Sequence, residues 1–164
     1  MYNSHLKIKN SKEGMGIGLF TEIDIPANRP IIEVFGEIHT KETMPNPDHP
    51  AWLQISNKYF IGPSGGKDDY INHSCDPNCY INVVGRRAIL FSMYHIREGS
   101  ELTFDYSTTS TESLDKWKMV CFCGSFKCRN IISGYQYLSP EIKTAYEKKG
   151  IVPMYIINPI FKDM

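Results

Sequence analysis

The hydrophobic pattern of this chain consists of short alternating runs separated by turn residues. Apolar and polar positions alternate in residues 5–10, and again in residues 80–84 and 88–94 on either side of Gly85-Arg86. Alternation with a period of two is typical of half-buried strands, and two such runs around a Gly predict a β-hairpin. Shorter apolar runs predict further strands at 31–35 (continued to 38), 52–55, 58–61 and 101–104.

One helix is predicted near the C-terminal end. Ser139 followed by Pro140 is a typical helix start, and a Gly follows the last basic residues, so we predict a helix at about 140–149. The apolar run 151–161 is broken by two Pro residues and is expected to pack on the domain. The polar residues 107–116 are expected to form a mobile loop.

Length and composition indicate one globular, mainly β domain. The chain has 164 residues, of which 41% are apolar and 12% aromatic, too apolar for a disordered protein and too polar for a membrane protein. Lys plus Arg equals Asp plus Glu at 18 each, which gives no support to nucleic-acid binding. The N-terminus has no apolar signal segment, so we expect an intracellular protein whose thiols stay reduced.

Residues 68–79 form the most unusual stretch of the chain, DDYINHSCDPNC. Asp, Asn, Ser and Pro favour turns, while the apolar residues beside them can anchor the stretch to a core. We interpret it as a candidate site; the alternative is a surface loop with two incidental thiols. A nucleophile–base pair of Cys75 and His73 is disfavoured, because residues two apart share a face only in an extended strand.

Three further cysteines, Cys121, Cys123 and Cys128, form a CxCx4C array. Three clustered thiolates can share a tetrahedral metal ion but are one ligand short of a closed zinc site, so the fourth is expected from Cys75 or Cys79. The alternative is a set of free thiols or one disulfide. Zinc is favoured, because the spacing is tight and no oxidising compartment is indicated.

Two smaller patterns complete the set of candidate features. Glycines at 14, 16 and 18 allow a close backbone approach to a ligand, but they do not match the dinucleotide-binding GxGxxG fingerprint. Phe104 and Tyr106 lie on one face if the chain is extended there. Taken alone, the glycines are better explained by an ordinary hairpin turn, and the aromatic pair by an ordinary core.

Taken in order, these motifs resemble the SET-domain protein lysine methyltransferases that carry a post-SET zinc module. The resemblance spans about residues 6–129, and the compact single domain is typical of a microbial member. The stretches that carry it are GIGLF at 16–20 with Ile25-Pro26, IIEVFGE at 31–37, NHSCDPN at 72–78, GSELTFDY at 99–106 and the CxCx4C array at 121–128.

The resemblance implies a mainly β fold of several small twisted sheets, with the central and closing motifs crossing in a knot-like arrangement. It divides the chain into a SET domain at 1–110, a post-SET zinc module at 111–130 and a C-terminal extension at 131–164. A zinc-stapled segment and a C-terminal helix would complete the fold.

The resemblance also implies S-adenosylmethionine as methyl donor, a lysine of a protein or peptide as acceptor, and structural Zn²⁺. A histone or histone-like tail is one candidate substrate, which would make the location nuclear rather than cytoplasmic. We expect no direct nucleic-acid or membrane partner and either a monomer or a homodimer. The alternative function is an inactive SET scaffold that works as a zinc-stapled binding module.

Site residues follow from the resemblance position by position. The catalytic pair would be Tyr106 and Phe104, and a Phe at 104 implies reaction beyond monomethylation. The cofactor would be bound by Met15, Gly16, Ile17, Gly18, Tyr70, Asn72, His73 and Phe122. The substrate channel would be lined by Trp52, Phe104 and Tyr106. Zinc would be bound by Cys75, Cys121, Cys123 and Cys128, which leaves Cys79 free. Asp69-Tyr70 departs from the Arg-Phe pair that many relatives have there.

Overall fold

A computed structural model describes residues 1–111 and 117–158 of the chain. The strands are β1 (Leu6–Asn10), β2 (Ile17–Thr21), β3 (Pro30–Val34), β4 (Ile38–Thr40), β5 (Leu53–Gln54), β6 (Tyr59–Ile61), β7 (Asn72–His73), β8 (Cys79–Val84), β9 (Arg87–Ser92), β10 (Thr103–Phe104), β11 (Lys118–Val120) and β12 (Ile131–Ser133). The α-helices are α1 (Pro140–Lys148) and α2 (Met154–Ile157). Neither helix of this described part has the length and apolar content of a membrane span.

The strands form several small sheets rather than one large sheet. The three-stranded sheets have the orders β3-β9-β8 and β4-β6-β5, and β1-β2 and β11-β12 are antiparallel pairs. Strands β7 and β10 pair in parallel, with Thr103 opposite Asn72 and Phe104 opposite His73. The predicted fold class, mainly β with small sheets and a C-terminal helix, is confirmed, and so is the predicted hairpin, which is β8-β9.

One apolar core lies between these sheets. In β9 the residues Ala88, Leu90 and Ser92 are fully buried, while the residues between them are partly exposed. This alternation is what the sequence predicts for a strand with one face on a core. Leu19 of β2 and Leu102, which precedes β10, are also fully buried. Sheets of two or three strands have little stability alone, so the shared core is what holds them together.

The C-terminal residues pack on this domain through a second apolar cluster. Helix α1 begins where predicted, and the Ser139 hydroxyl accepts a hydrogen bond from the backbone N–H of Ile142. Ile151, Val152 and Tyr155 are buried, as expected for the apolar tail. The predicted tail extended to residue 161, and its last positions from 159 onward lie outside the described residues.

The predicted mobile loop at 107–116 is wrong for its first part. Residues 107–110 are buried and begin with a 3₁₀ turn, Tyr106–Thr108. Their hydroxyls bond to the local backbone: Thr108 Oγ1 donates to the Asp105 carbonyl (2.7 Å), and Ser110 Oγ donates to the Tyr106 carbonyl (3.1 Å). Polar side chains can be buried when their hydrogen bonds are made locally. Residues 112–116 lie outside the described part.

Several strand predictions also differ in extent. The strand predicted at 52–55 is reduced to β5, which excludes Trp52, and the strand predicted at 101–104 is reduced to β10. Strands β2, β11 and β12 were not predicted, because glycines interrupt the pattern around β2 and cysteines lie between the other two. Pairing with a neighbouring strand, rather than periodicity, defines such short elements.

We expect Ser92→Ala to lower the free energy of unfolding by about 1–3 kcal/mol. The fully buried Ser92 hydroxyl donates to the Pro26 carbonyl (2.7 Å) and accepts from the Arg29 N–H (2.9 Å), so Ala leaves both groups without this partner. Urea denaturation measures the change. The control is Ser133→Ala on β12, whose hydroxyl has no hydrogen bond among the described contacts; equal losses in both variants would contradict the prediction.

Candidate active site

The candidate site lies where the central and closing motifs run side by side. The parallel pairing of β7 with β10 brings Asn72 and His73 next to Thr103 and Phe104. Ser74 N–H extends the ladder by donating to the Phe104 carbonyl (3.1 Å). Two motifs that are about thirty residues apart in sequence therefore lie on adjacent two-residue strands, and Tyr106 follows directly after β10.

Tyr106 is fixed at both ends of its side chain. Its hydroxyl donates to the Ile71 carbonyl (2.8 Å), and its ring packs on Phe104 and His73, with centroid distances of 4.9 and 5.4 Å. Burial raises the pKa of the Tyr106 phenol well above its usual value, with a smaller contribution from the charge of Glu101. The hydroxyl therefore stays protonated and acts as a hydrogen-bond donor rather than a base.

Asp105, between Phe104 and Tyr106, is a fully buried carboxylate. Arg129 binds it with two charge-assisted hydrogen bonds of 2.7 Å each, and the Tyr146 hydroxyl donates to Oδ2 at 2.9 Å. The Ser107 N–H donates to Oδ1 (3.0 Å), so Asp105 also caps the turn that begins at Tyr106. A buried charge needs partners of this kind, because its desolvation otherwise costs several kcal/mol.

His73 is buried and neutral. Burial lowers its pKa to about 4, a shift that Asp105 opposes and Arg129 reinforces. Nδ1 accepts from the Tyr106 N–H (3.2 Å), which puts the ring proton on Nε2. Nε2–H then points at Cys75 Sγ, 3.2 Å away, and donates to this sulfur. His73 therefore connects Tyr106 to the cysteine cluster through its two ring nitrogens.

A cavity of about 290 Å³ opens beside this crossing. Met15 borders it from the Gly-rich turn, His73 from β7 and Cys123 from the cysteine array. Lys12 joins the Gly-rich turn to the cysteine array, since its Nζ donates to the Cys123 carbonyl (3.2 Å). The lining carries Lys12 and the carboxylate of Glu101, so it offers both signs of charge to a ligand.

The Gly-rich strand β2 approaches Asn72 closely. Asn72 Nδ2 donates to the Ile17 carbonyl (3.0 Å) and to Glu101 Oε1 (2.8 Å). A Cβ at Gly18 would overlap Glu101 Oε1 and would lie 2.9 Å from Asn72 Nδ2, so a side chain there would displace both groups from their present contact. Ile17 and Gly18 therefore lie against the Asn72 side chain, and the cofactor role of Met15, Gly16, Ile17 and Gly18 stays a prediction.

Phe122 lies against the same Gly-rich turn. A Cβ at Gly14 would be 2.7 Å from the Phe122 ring, so the ring occupies space that only a Gly leaves free. The ring is about half exposed, at 54%. Its neighbour Cys123 lines the cavity, and the covering of the adenine by Phe122 stays a prediction.

The four cysteines expected to bind zinc lie together. The Sγ atoms of Cys75, Cys121, Cys123 and Cys128 are all within 4.8 Å of one another. Arg129 N–H donates to Cys75 Sγ and Asn130 N–H to Cys128 Sγ, each at 3.4 Å. Donors that converge on sulfur suit thiolates, which are the ligands of Zn²⁺. Cys79 is buried outside this set.

The ionisation of these thiols also fits a cation site. Burial raises the pKa of Cys75 to about 11 and raises that of Cys121 as well. Burial opposes ionisation of Cys123 too, but N–H donors and neighbouring thiols lower the pKa of this residue to about 7. Packing four thiols so tightly favours proton loss only when a cation neutralises the resulting charge. The donor set therefore fits a tetrahedral metal ion with four sulfur ligands.

Two of the predicted site residues lie apart from the Tyr106 contacts. Trp52 donates its indole N–H to the Asn46 carbonyl (2.7 Å) and packs edge-on against His39, so its described contacts are within the 38–52 segment. Tyr70 is half-buried and packs on the main core. The channel role of Trp52 and the cofactor role of Tyr70 stay predictions.

The departure at Asp69-Tyr70 has a structural reason. The Asp69 carboxylate accepts from the backbone N–H groups of Ser64 and Gly65, at 2.9 and 2.8 Å. Asp68 accepts in the same way from the N–H of Phe35 (2.9 Å). The acids therefore hold the loop that precedes the central motif against the end of β3.

Sequence reasoning missed the residues that hold the site from behind. Asp105 lies directly beside Tyr106 in the sequence, and Arg129 lies directly beside Cys128. Two opposite charges next to predicted site residues could have indicated this ion pair. Glu101 was seen only as part of a motif. Tyr146 gave no signal, because it lies more than forty positions from Asp105 in an ordinary amphipathic helix.

Comparison with known proteins gives the same family as the motifs. Residues 16–107 match the SET domain. A histone-lysine N-methyltransferase, H3 lysine-36 specific, from Chaetomium globosum is 29% identical over 93% of this chain and 17% of its own length. The Homo sapiens histone-lysine N-methyltransferase SETD2 is 32% identical over 77% of this chain and 5% of its own length. The chain thus spans less than a fifth of these relatives.

A solved structure gives the corresponding likeness in three dimensions. KRYPTONITE, in complex with mCHH DNA, an H3(1-15) peptide and SAH, has a TM-score of 0.64 and 26% identity over 78% of this chain and 29% of its own. The SET match covers more than half of the chain and includes Asn72, His73 and Tyr106. The chain belongs to the SET-domain family.

Proposed function

We propose that this chain is an S-adenosylmethionine-dependent protein-lysine N-methyltransferase. The observation that carries the proposal is the fixed, protonated Tyr106 hydroxyl, which lies at the crossing that also forms the border of the cavity. Tyr106 bonds to the Ile71 carbonyl, and its N–H bonds to His73, which borders that cavity. Family membership and the names of the relatives support the same activity.

The residues around the cavity fit this cofactor. The backbone of Met15–Gly18 and the side chains of Asn72 and Glu101 would hold its amino-acid end, and His73 and Phe122 would border its adenine. Glu101 and Lys12 offer charges that match an ammonium and a carboxylate. When bound, S-adenosylmethionine supplies a methyl group on a sulfonium, which makes the transfer an in-line displacement.

Tyr106 orients the acceptor rather than deprotonating it. Its raised pKa keeps the phenol protonated, so the lysine must lose its proton to solvent before transfer. The walls beside Tyr106 are apolar, since Phe104 and Ile71 are both buried. An apolar wall lowers the pKa of an ammonium by desolvation, and alignment of the amine with the methyl group contributes about 7–11 kcal/mol in well-oriented reactions.

We infer a lysine in a peptide or unfolded segment as the acceptor, with a histone tail as one candidate. The H3(1-15) peptide in the KRYPTONITE complex supports a peptide ligand for a SET domain. The same complex contains DNA, which we assign to that protein and not to this one. A histone substrate would imply a nuclear location; otherwise we infer a cytoplasmic one.

We infer that Cys75, Cys121, Cys123 and Cys128 bind a structural Zn²⁺. Four sulfur ligands close the coordination shell, so the ion would have no open position for catalysis. Its effect would be on the cavity, because Cys123 lines the cavity and Phe122 lies between two of the ligands. The division into a SET domain at 1–110, a zinc module at 111–130 and an extension at 131–164 remains part of this proposal.

We expect the wild-type chain to transfer labelled methyl groups to lysines of candidate proteins, and Tyr106→Phe to lower kcat by about 10²–10³-fold. The donor affinity of the variant, measured by calorimetry, should change by less than about twofold, because Phe keeps the ring that packs on Phe104 and His73. The control is Tyr80→Phe, whose ring stacks on Phe91 in the β8-β9 hairpin.

The two readouts separate the proposal from the alternative of an inactive binding scaffold. If the wild type neither transfers methyl groups nor binds the donor, the enzyme proposal is wrong and the binding-module alternative remains. If the wild type binds the donor but methylates no lysine in histones or in a whole proteome, the proposal that lysine is the acceptor is wrong. A Tyr106→Phe variant as active as wild type would overturn the role of the hydroxyl.

We infer that Phe104 leaves room for more than one methyl group. A hydroxyl added at Phe104, next to the Tyr106 ring at 4.9 Å, would crowd the acceptor nitrogen. Phe104→Tyr should therefore stop the reaction at monomethyl-lysine, whereas the wild type should reach di- or trimethyl-lysine on exhaustive reaction. Mass spectrometry of the product measures this. Phe91→Tyr is the control, and only monomethyl-lysine from the wild type would contradict the inference.

Cys75→Ser should abolish metal binding and weaken donor binding by at least about tenfold, because Cys123, which lines the cavity, and the adjacent Phe122 lose their support. Elemental analysis measures zinc per chain, and calorimetry measures the donor affinity. Cys79→Ser is a matched control, since Cys79 is also buried but lies outside the cluster; it should keep one zinc per chain. Full zinc content in Cys75→Ser would exclude Cys75 as a ligand.

A further inference from the structure

The C-terminal extension contacts the segment that follows β10 at three places. Tyr135 N–H donates to the Ser110 carbonyl (2.9 Å). The Tyr155 hydroxyl lies 2.7 Å from the Thr109 carbonyl and 2.8 Å from that of Gln54 on β5. The Tyr146 hydroxyl, from α1, donates to Asp105. The extension therefore packs directly behind the 105–110 segment, which carries Tyr106.

The Tyr146 contact differs from the other two because it reaches the residue next to Tyr106. The hydroxyl is 2.9 Å from Asp105 Oδ2, the oxygen that also accepts from Arg129 Nη1 at 2.7 Å. The Tyr146 side chain is buried, and burial raises the pKa of its phenol well above the usual value, so the hydroxyl remains a donor. Tyr146 therefore fixes one oxygen of Asp105 from the C-terminal extension.

The orientation of Asp105 in turn controls where Tyr106 lies. With Oδ2 held, Oδ1 accepts from the Ser107 N–H (3.0 Å), and the Asp105 carbonyl accepts from the Thr108 N–H (2.9 Å). These bonds define the 3₁₀ turn whose first residue is Tyr106. A rotation of the Asp105 carboxylate would lengthen the Oδ1 bond and loosen this turn, together with the Tyr106 ring.

We propose that Tyr146 is a positioning residue for methyl transfer, which acts through Asp105 on Tyr106. The proposal rests on the proposed methyltransferase function. It gives the C-terminal extension a role in catalysis: α1 supplies a hydroxyl that holds the turn of the catalytic tyrosine. A misplacement of a reacting group by about 1 Å can cost 10²-fold in rate, so a small loosening is enough to be measured.

The test compares Tyr146→Phe with Tyr135→Phe. Both tyrosines are buried in the same C-terminal cluster, and each hydroxyl bonds to one carboxylate, Asp105 for Tyr146 and Glu147 for Tyr135. We expect Tyr146→Phe to lower kcat by at least about tenfold, the factor for one hydrogen bond to a charged group. The KM for the donor and the ratio of donor bound per chain should stay within about twofold of wild type. Tyr135→Phe should keep the wild-type kcat.

A second measurement needs neither donor nor activity. Hydrogen exchange of the apo chain should be faster by at least about tenfold at the Ser107 and Thr108 amides in Tyr146→Phe, and unchanged in β8 and β9. A role limited to overall stability would instead raise exchange in the whole core. It would also lower the fraction of chains that bind donor, while kcat per binding-competent chain and the ratio of methylated products stayed constant.

The outcomes distinguish this inference from the proposed function. If the wild type transfers methyl groups and Tyr146→Phe matches Tyr135→Phe in kcat, the positioning role is overturned and the methyltransferase stands. If exchange at Ser107 and Thr108 is the same in Tyr146→Phe and wild type, the positioning role is overturned whatever the activity. If the wild type transfers nothing, the proposed function fails, and with it the catalytic part of this inference.

Discussion

The ion pair between Asp105 and Arg129 is the interaction on which the site depends. Asp105 is fully buried, so its charge must be matched by Arg129 at 2.7 Å and by donors from Tyr146 and Ser107. Removing one partner of such a pair typically costs about 3–5 kcal/mol, because a charge is left buried. The pair joins the turn after β10 to the end of the cysteine array, and Tyr146 brings α1 to the same carboxylate.

A buried ion pair adds little net stability compared with an apolar contact of the same size, so its value here is geometric. Arg129 lies between Cys128 and Asn130, and its own N–H donates to Cys75 Sγ. The guanidinium therefore links the cysteine cluster to the residue beside Tyr106. His73 makes a second link, from Tyr106 N–H to the same sulfur. Through these two links, the cysteine cluster and Tyr106 share one set of hydrogen bonds.

The sequence was sufficient for the elements and motifs that depend on neighbours along the chain. The β8-β9 hairpin follows from alternation around a turn, α1 follows from the Ser139 cap, and three of the four clustered cysteines follow from their spacing, whereas Cys75 was implied by the family resemblance. Strand β7 has only two residues, too few for any periodicity to indicate it, and β5 and β10 are shorter than the apolar runs that predicted them. Their positions depend on pairing across the fold, which single-sequence patterns do not contain.

The burial of residues 107–110 was not predicted for a different reason, which is local. Ser, Thr, Thr and Ser are the composition of an exposed loop, yet each of these residues is buried. Their burial costs little, because Thr108, Thr109 and Ser110 donate to carbonyls three or four residues earlier and so satisfy their own hydroxyls. Hydrophobicity scales count the hydroxyls as if they were unpaired.

The cavity is lined by segments that lie far apart in the sequence, so its shape depends on the contacts between these segments. The Gly-rich turn gives Phe122 its place, because the ring occupies the space that a side chain at residue 14 would need. Cys121 and Cys123, on either side of Phe122, belong to the cluster that includes Cys75. The position of the Phe122 ring therefore depends on two features. The neighbouring Cys121 and Cys123 fix its backbone, and the missing side chain at Gly14 leaves space for the ring. Lys12, which bonds to the Cys123 carbonyl, adds a further contact between the Gly-rich turn and the cysteine cluster at the cavity.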